Sequence, residues 1–342
     1  MSQIKIEKNY ETIQALRLIA AACVALTHAT FYIKTRSNSS IDVWEVGSQG
    51  VQIFFVISGF VMALSSGTLT GNIIDWKDFI LKRLIRIVPL YWLLNAIKIA
   101  LLFIMPGALL AKPDVENIIL SLLFIPSRNE NGIIETFYGV GWTLNFEMFF
   151  YLIISIFLFL RLPIILFSTL ALLVFLILSL FRQDEWPAIS YLFHPYLANF
   201  IWGLLIAKLV AIKDVDKPFL GLILIVISSY LIFFDPIHPT MTILGSQYAA
   251  LVLGMIMVEP IVRGRFPKIV LFGGDASYSL YLTHAMIGPA AVIIAQKMDI
   301  QYISINIIFT FTLMLIMASI CHFFVERPIA KHISSWINHK KV

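Results

Sequence analysis

Arg17 and His28 lie in the first strongly apolar segment, residues 13–29, where ionisable side chains are least favoured. On a helix, eleven residues turn the chain by about 1,100°, three turns plus roughly 20°, so both side chains point the same way. They stand about 16.5 Å apart along the axis. Ionisable residues inside a membrane span mark functional sites by default. The pair suits a ligand long enough to run along half a bilayer.

Three further clusters break the apolar background. Glu147, in the run Gly141–Glu147 that begins Gly141-Trp142-Thr143, enters its segment about two turns deep, which predicts a depth similar to that of His28. A carboxylate that fixes the tautomer of a neutral imidazole and stabilises the imidazolium makes a general base, so Glu147 is expected to orient His28. The plainer reading is a helix-bundle hydrogen bond from Glu147 to a Ser, Thr or Tyr. Arg83 and Arg86 are three apart on one helical face, a spacing able to grip a phosphate, or to serve as cytoplasmic charge as Lys77 and Lys82 do. Ser277, Tyr281, His284 and Gly288 form a polar stripe that lines a cavity or joins helices. Ser58 falls at similar depth in the second apolar segment, beside Gly59, where close helix packing also accounts for it. His194, His238, His322, His332 and His339 show no metal-ligand spacing, and no metal site is expected. No phosphate-binding or dinucleotide-binding glycine loop and no Gly-x-Ser-x-Gly elbow is present.

The elements that must carry these residues are membrane helices. Of 342 residues 59% are hydrophobic and 13% charged, with a mean hydropathy of +0.88, far from soluble-domain composition. The expected fold is all-α and integral to the membrane. Ten spans are placed near 13–33, 47–66, 88–106, 140–160, 163–181, 191–210, 218–234, 242–260, 275–296 and 303–325. With both termini cytoplasmic, 18 of the 25 Lys and Arg residues face inward. Six face outward (Lys34, Arg36, Lys112, Arg128, Arg182 and Lys297), and Lys98 falls inside a span. The net charge of +5 follows from this asymmetry rather than from nucleic-acid binding. Residues 1–12 read as a cytoplasmic tail, 13–326 as a multi-span domain and 327–342 as a basic cytoplasmic tail, without a soluble catalytic domain. Asn117–Ile125, too short to cross, is expected as an interfacial or re-entrant helix in the outer connection. The first span lacks the features of a cleaved signal, and Cys23 and Cys321 read as buried small hydrophobes.

Six motifs in order resemble the acyltransferase 3 family of bacterial membrane O-acyltransferases. They are Arg17 with His28; Phe54-Phe55 with Ser58-Gly59-Phe60; Arg83 and Arg86 with Pro89 and Tyr91-Trp92; Trp142-Thr143-Leu144 with Glu147 and Tyr151; Ser277–Leu282 with His284; and Glu326-Arg327-Pro328. Ile13–Arg17 looks most like the branch acting on exopolysaccharides. Many members carry Gly after the first Arg, where this chain has Leu18. The resemblance implies transfer of an acyl group, usually acetyl, from cytoplasmic acyl-CoA to a hydroxyl of a surface or lipid-linked carbohydrate. It implies catalytic His28 and Glu147, acyl-CoA held by Arg17, Arg83 and Arg86, and a cavity lined by Ser58, Trp142, Tyr281 and His284. It implies no permanently bound cofactor, and the bacterial inner membrane as location. A transporter or flippase of a lipid-linked glycan, or an acyl-CoA-binding protein without turnover, are the alternative classes.

Overall fold

The computed structural model describes residues 10–37, 40–69, 73–104, 114–213, 215–234 and 243–339. Among these residues thirteen α-helices follow one another: α1 (Glu11–Arg36), α2 (Gly50–Ser65), α3 (Trp76–Ile104), α4 (Val115–Leu122), α5 (Trp142–Phe159), α6 (Ile164–Ser179) and α7 (Leu197–Ile212). Then come α8 (Pro218–Phe233), α9 (Ser246–Val262), α10 (Lys268–Asp275), α11 (Ser277–Lys297), α12 (Ile303–Cys321) and α13 (Arg327–His339). Among the described residues there is no strand, only one backbone bridge between Arg128 and Ile134. His238 and Lys112 lie outside the described residues.

Each expected span corresponds to one helix. Six helical segments are long and apolar enough to cross a membrane: Glu11–Arg36, Glu45–Ser65, Trp76–Ile104, Gly139–Phe159, Ser277–Lys297 and Ile303–Ser335. The other four, α6 to α9, are shorter apolar helices of 16 or 17 residues. Leu170, Val174, Ile177, Val226, Ile227, Ile308 and Ile316 are exposed on α6, α8 and α12. An outer surface of this kind suits hydrocarbon rather than water. The chain is a membrane protein.

Helix α1 runs through the middle, packing on α2, α9, α10, α11 and α12. Its small residues Ala20, Ala21, Ala25 and Ala29 are fully buried, which lets neighbouring backbones approach closely. Its first turn is held from outside the helix. The Glu259 carboxylate of α9 accepts the Glu11 N–H at 2.9 Å, the Thr12 N–H at 2.8 Å and the Thr12 hydroxyl at 2.6 Å. These donors have no intrahelical partner, and an anion here also meets the positive end of the helix dipole. The α2–α7 contact is closer still. A Cβ on Gly59 would stand 2.3 Å from the Phe200 carbonyl, and one on Gly203 would stand 2.2 Å from that of Val56. The packing reading of Ser58-Gly59 therefore holds for Gly59.

Four elements add detail to the sequence expectation. α3 is one 29-residue helix that passes through Pro89, so the basic run lies on the same rod as the third span rather than ahead of it. The expected C-terminal tail is helical over Arg327–His339, and α1 already begins at Glu11. The short outer helix, expected at 117–125, forms over Val115–Leu122 and is capped by Asp114, whose side chain accepts the Glu116 N–H at 3.0 Å. The chain after it sinks into the bundle: Tyr138 is 3% and Val140 6% exposed, and the Tyr138 hydroxyl donates to the Leu282 carbonyl at 2.6 Å. Both cysteines are free.

Candidate active site

A cavity of about 570 Å³ lies between α1, α2, α3, α5 and α11. Gln14, Arg17, Ser58, Ser65, Arg86, Glu147, Tyr151 and Tyr281 supply polar lining, and the remaining walls are largely apolar, among them Phe54, Phe55, Phe60 and Leu144. Each helix turns one face to it. On α5 the lining residues Thr143, Leu144, Glu147 and Tyr151 follow helical spacing. Trp142, about 140° around the helix from Glu147, faces away. It packs instead on Tyr196 and Phe146, with ring centroids at 5.5 and 6.1 Å.

Arg17, Arg86 and Glu147 share this space without touching. Glu147 accepts one hydrogen bond, from the Tyr151 hydroxyl at 3.0 Å, and lies in the fields of Arg86, Arg17 and Arg83. Arg17 reaches only the Gln14 side-chain oxygen, at 3.4 Å. It repels Arg86 and is drawn by Asp275, Glu326 and Glu147. Among the described residues Arg86 forms no hydrogen bond or ion pair. Arg83 does other work, donating to the Ser65 hydroxyl at 2.5 Å and lying over the Phe79 ring at 5.4 Å. It is largely enclosed and is not among the cavity-lining residues. The phosphate grip read from spacing thus divides: Arg86 faces the cavity, while Arg83 ties α3 to the end of α2.

His28 meets a different partner from the one its sequence suggests. Its Nδ1 donates to the Val24 carbonyl at 2.9 Å. Its ring lies 4.6 Å from that of His284, centroid to centroid, with Tyr32 at 6.0 Å. No hydrogen bond joins His28 to Glu147. Neither histidine lines the cavity. Thr143 and Tyr281, both lining the cavity, have their hydroxyls bonded at 2.8 Å, and the Tyr281 ring lies 5.8 Å from that of His284. Of the four expected lining residues, Ser58 and Tyr281 take that place.

Two further groups were not singled out from sequence. Gln14 links Arg17 to Asp275, to which its amide donates at 3.1 Å. Glu326 accepts from the Ser279 hydroxyl at 2.5 Å and from His322 Nδ1 at 2.8 Å, at a π-helical turn spanning His322–Glu326. The Glu326-Arg327-Pro328 motif was the available signal for the second group. For Gln14–Asp275, 261 residues apart, there was none. At the outer end, burial and then the charge of Arg182 push the His194 imidazole down to about 4. Its ring lies 4.1 Å from that of Tyr196, tilted by 35°.

Residues 10–326 match the acyltransferase 3 family, described as an acyltransferase domain. The chain belongs to this family. Every site residue named above falls inside the matched range. The exopolysaccharide production protein ExoZ of Rhizobium meliloti (strain 1021) is 33% identical over 254 residues, covering 70% of this chain and 76% of that protein. No solved structure matches the chain.

Proposed function

We propose that this acyltransferase moves an acyl group, acetyl in the simplest case, from cytoplasmic acyl-CoA to a hydroxyl of an exopolysaccharide or its lipid-linked precursor. The observation that supports this most directly is the pair Arg17 and Arg86, two like charges that face one cavity and, among the described residues, form no ion pair. Such a site favours an anionic headgroup attached to an extended chain. The donor's phosphates meet Arg17 and Arg86, and its arm runs outward along α1. The thioester passes the Tyr281–Thr143 hydrogen bond to reach His28. His28 Nε2 takes the acceptor hydroxyl proton, the oxygen attacks the thioester carbonyl carbon, and the C–S bond breaks. The leaving thiolate then takes the proton, so an ester and a thiol leave a neutral enzyme.

The reading requires ten crossings with both ends in the cytoplasm of a bacterial inner membrane. A cysteine introduced at Asn131 should react with an impermeant maleimide on intact cells, and one at Ser335 only after permeabilisation. The opposite pattern would reverse the direction of acyl flow. Function itself is tested with radiolabelled acetyl-CoA and membranes from cells that make the acceptor glycan. Label should enter the glycan only when the protein is present. No incorporation with acetyl-CoA, and none with succinyl-CoA or longer acyl-CoA, would remove the donor assignment.

A further inference from the structure

His284 has no exposed surface, yet its Nε2 has no hydrogen-bond partner. Its Nδ1 lies 3.1 Å from the Leu280 carbonyl, just as Nδ1 of His28 lies 2.9 Å from that of Val24. A carbonyl oxygen only accepts, so both Nδ1 atoms carry the hydrogen, and a neutral imidazole has no second one. Both Nε2 atoms are therefore bare lone pairs on rings 4.6 Å apart. Leaving a buried acceptor unmatched is costly, and its persistence calls for an explanation.

One added proton supplies it. We infer that His284 is a positioning residue whose Nε2 accepts the N–H that His28 acquires, so that the two imidazoles share one proton during transfer. The inference rests on the reading above that His28 is the general base. His28 is half-buried, whereas His284 is fully buried beside it. The step balances without a further reactant. The acceptor hydroxyl loses its proton to His28 Nε2, the N–H is held against the lone pair of His284, and the proton passes to the thiolate when the C–S bond breaks. A partner is needed because the acceptor arrives from outside while the thiolate departs on the inner side. No carboxylate is placed to do this. Among the described residues Tyr32 and Tyr281 are the other titratable side chains with ring contacts to the pair, and Glu147 belongs to the arginine cluster.

The test measures label transfer from radiolabelled acetyl-CoA in membranes containing the acceptor glycan, per amount of folded protein. His284→Phe keeps a ring of similar breadth and removes the lone pair. It should lower the maximal rate roughly 10- to 150-fold, the worth of one hydrogen bond to a charged group, with the acetyl-CoA KM unchanged. His284→Gln, whose Oε1 can accept the same N–H, should recover most of that loss. A His284→Phe rate within about threefold of wild type, or His284→Gln as slow as His284→Phe, would overturn the inference. If His284→Phe does not accumulate, His284→Leu, which also lacks the lone pair, is measured against His284→Gln in its place, with the same supporting and overturning outcomes. His28→Ala separates the two ideas. Full activity in that variant removes the general base itself, while an inactive His28→Ala beside a normal His284→Phe removes only the partner.

Discussion

His28→Ala should lower acyl transfer by about 10²–10⁴-fold, the span of general acid–base catalysis, while leaving acyl-CoA binding largely intact. The Val24 carbonyl holds Nδ1 in place, which leaves Nε2 for the substrate. Because His28 is not among the cavity-lining residues, truncating it should not alter the walls of the cavity that meets the donor. The measurement is therefore a pair: steady-state transfer, and acetyl-CoA affinity by calorimetry on purified protein. Near-normal transfer would sink the base assignment. A lost rate with equally lost affinity would mean that His28 acts on the donor's binding and not on its chemistry.

The elements were legible because each long apolar run demands a helix in hydrocarbon, where no other single segment satisfies its own backbone. Less legible was how deep each residue sits. Counting Glu147 from the outer end of α5 assumes that α5 begins at the membrane surface. Instead the preceding chain packs into the bundle at Tyr138, Val140 and Gly141 and is fastened to α11 through the Tyr138 hydroxyl. Glu147 thus lies in the fields of Arg17, Arg83 and Arg86, and no hydrogen bond joins it to His28. The common phase of Arg17 and His28 is a property of one helix and could be read. What lies opposite each is not: Arg17 meets the cavity, and His28 meets a ring 256 positions away on α11. Arg83 shows the same limit. Its spacing with Arg86 was visible, but Ser65, which it binds, comes from the end of α2.

The relocation of Glu147 gives the second expected result. If Glu147 oriented His28, their substitutions would act as one unit. From the structure, Glu147 should couple to Arg86 and not to His28. Arg86→Gln removes one cation facing the donor and should weaken acetyl-CoA binding by about 1.5–3 kcal/mol, roughly a 10- to 150-fold rise in Kd. Glu147→Gln removes the one carboxylate hydrogen-bonded within the cavity and leaves three cations with less compensation. It should lower thermal stability of the unliganded protein, since buried charge without a counter-charge is unfavourable. Added acetyl-CoA should stabilise this variant more than wild type, because its phosphates replace the missing negative charge. In the Glu147→Gln/Arg86→Gln double variant part of the stability should return, with a coupling of about 0.5–3 kcal/mol. Rate effects of Glu147→Gln and His28→Ala should instead add within about 0.5 kcal/mol, as expected for residues with no shared partner. Strong coupling between Glu147 and His28, with none between Glu147 and Arg86, would return the carboxylate to the imidazole and leave the arginines without their counter-charge.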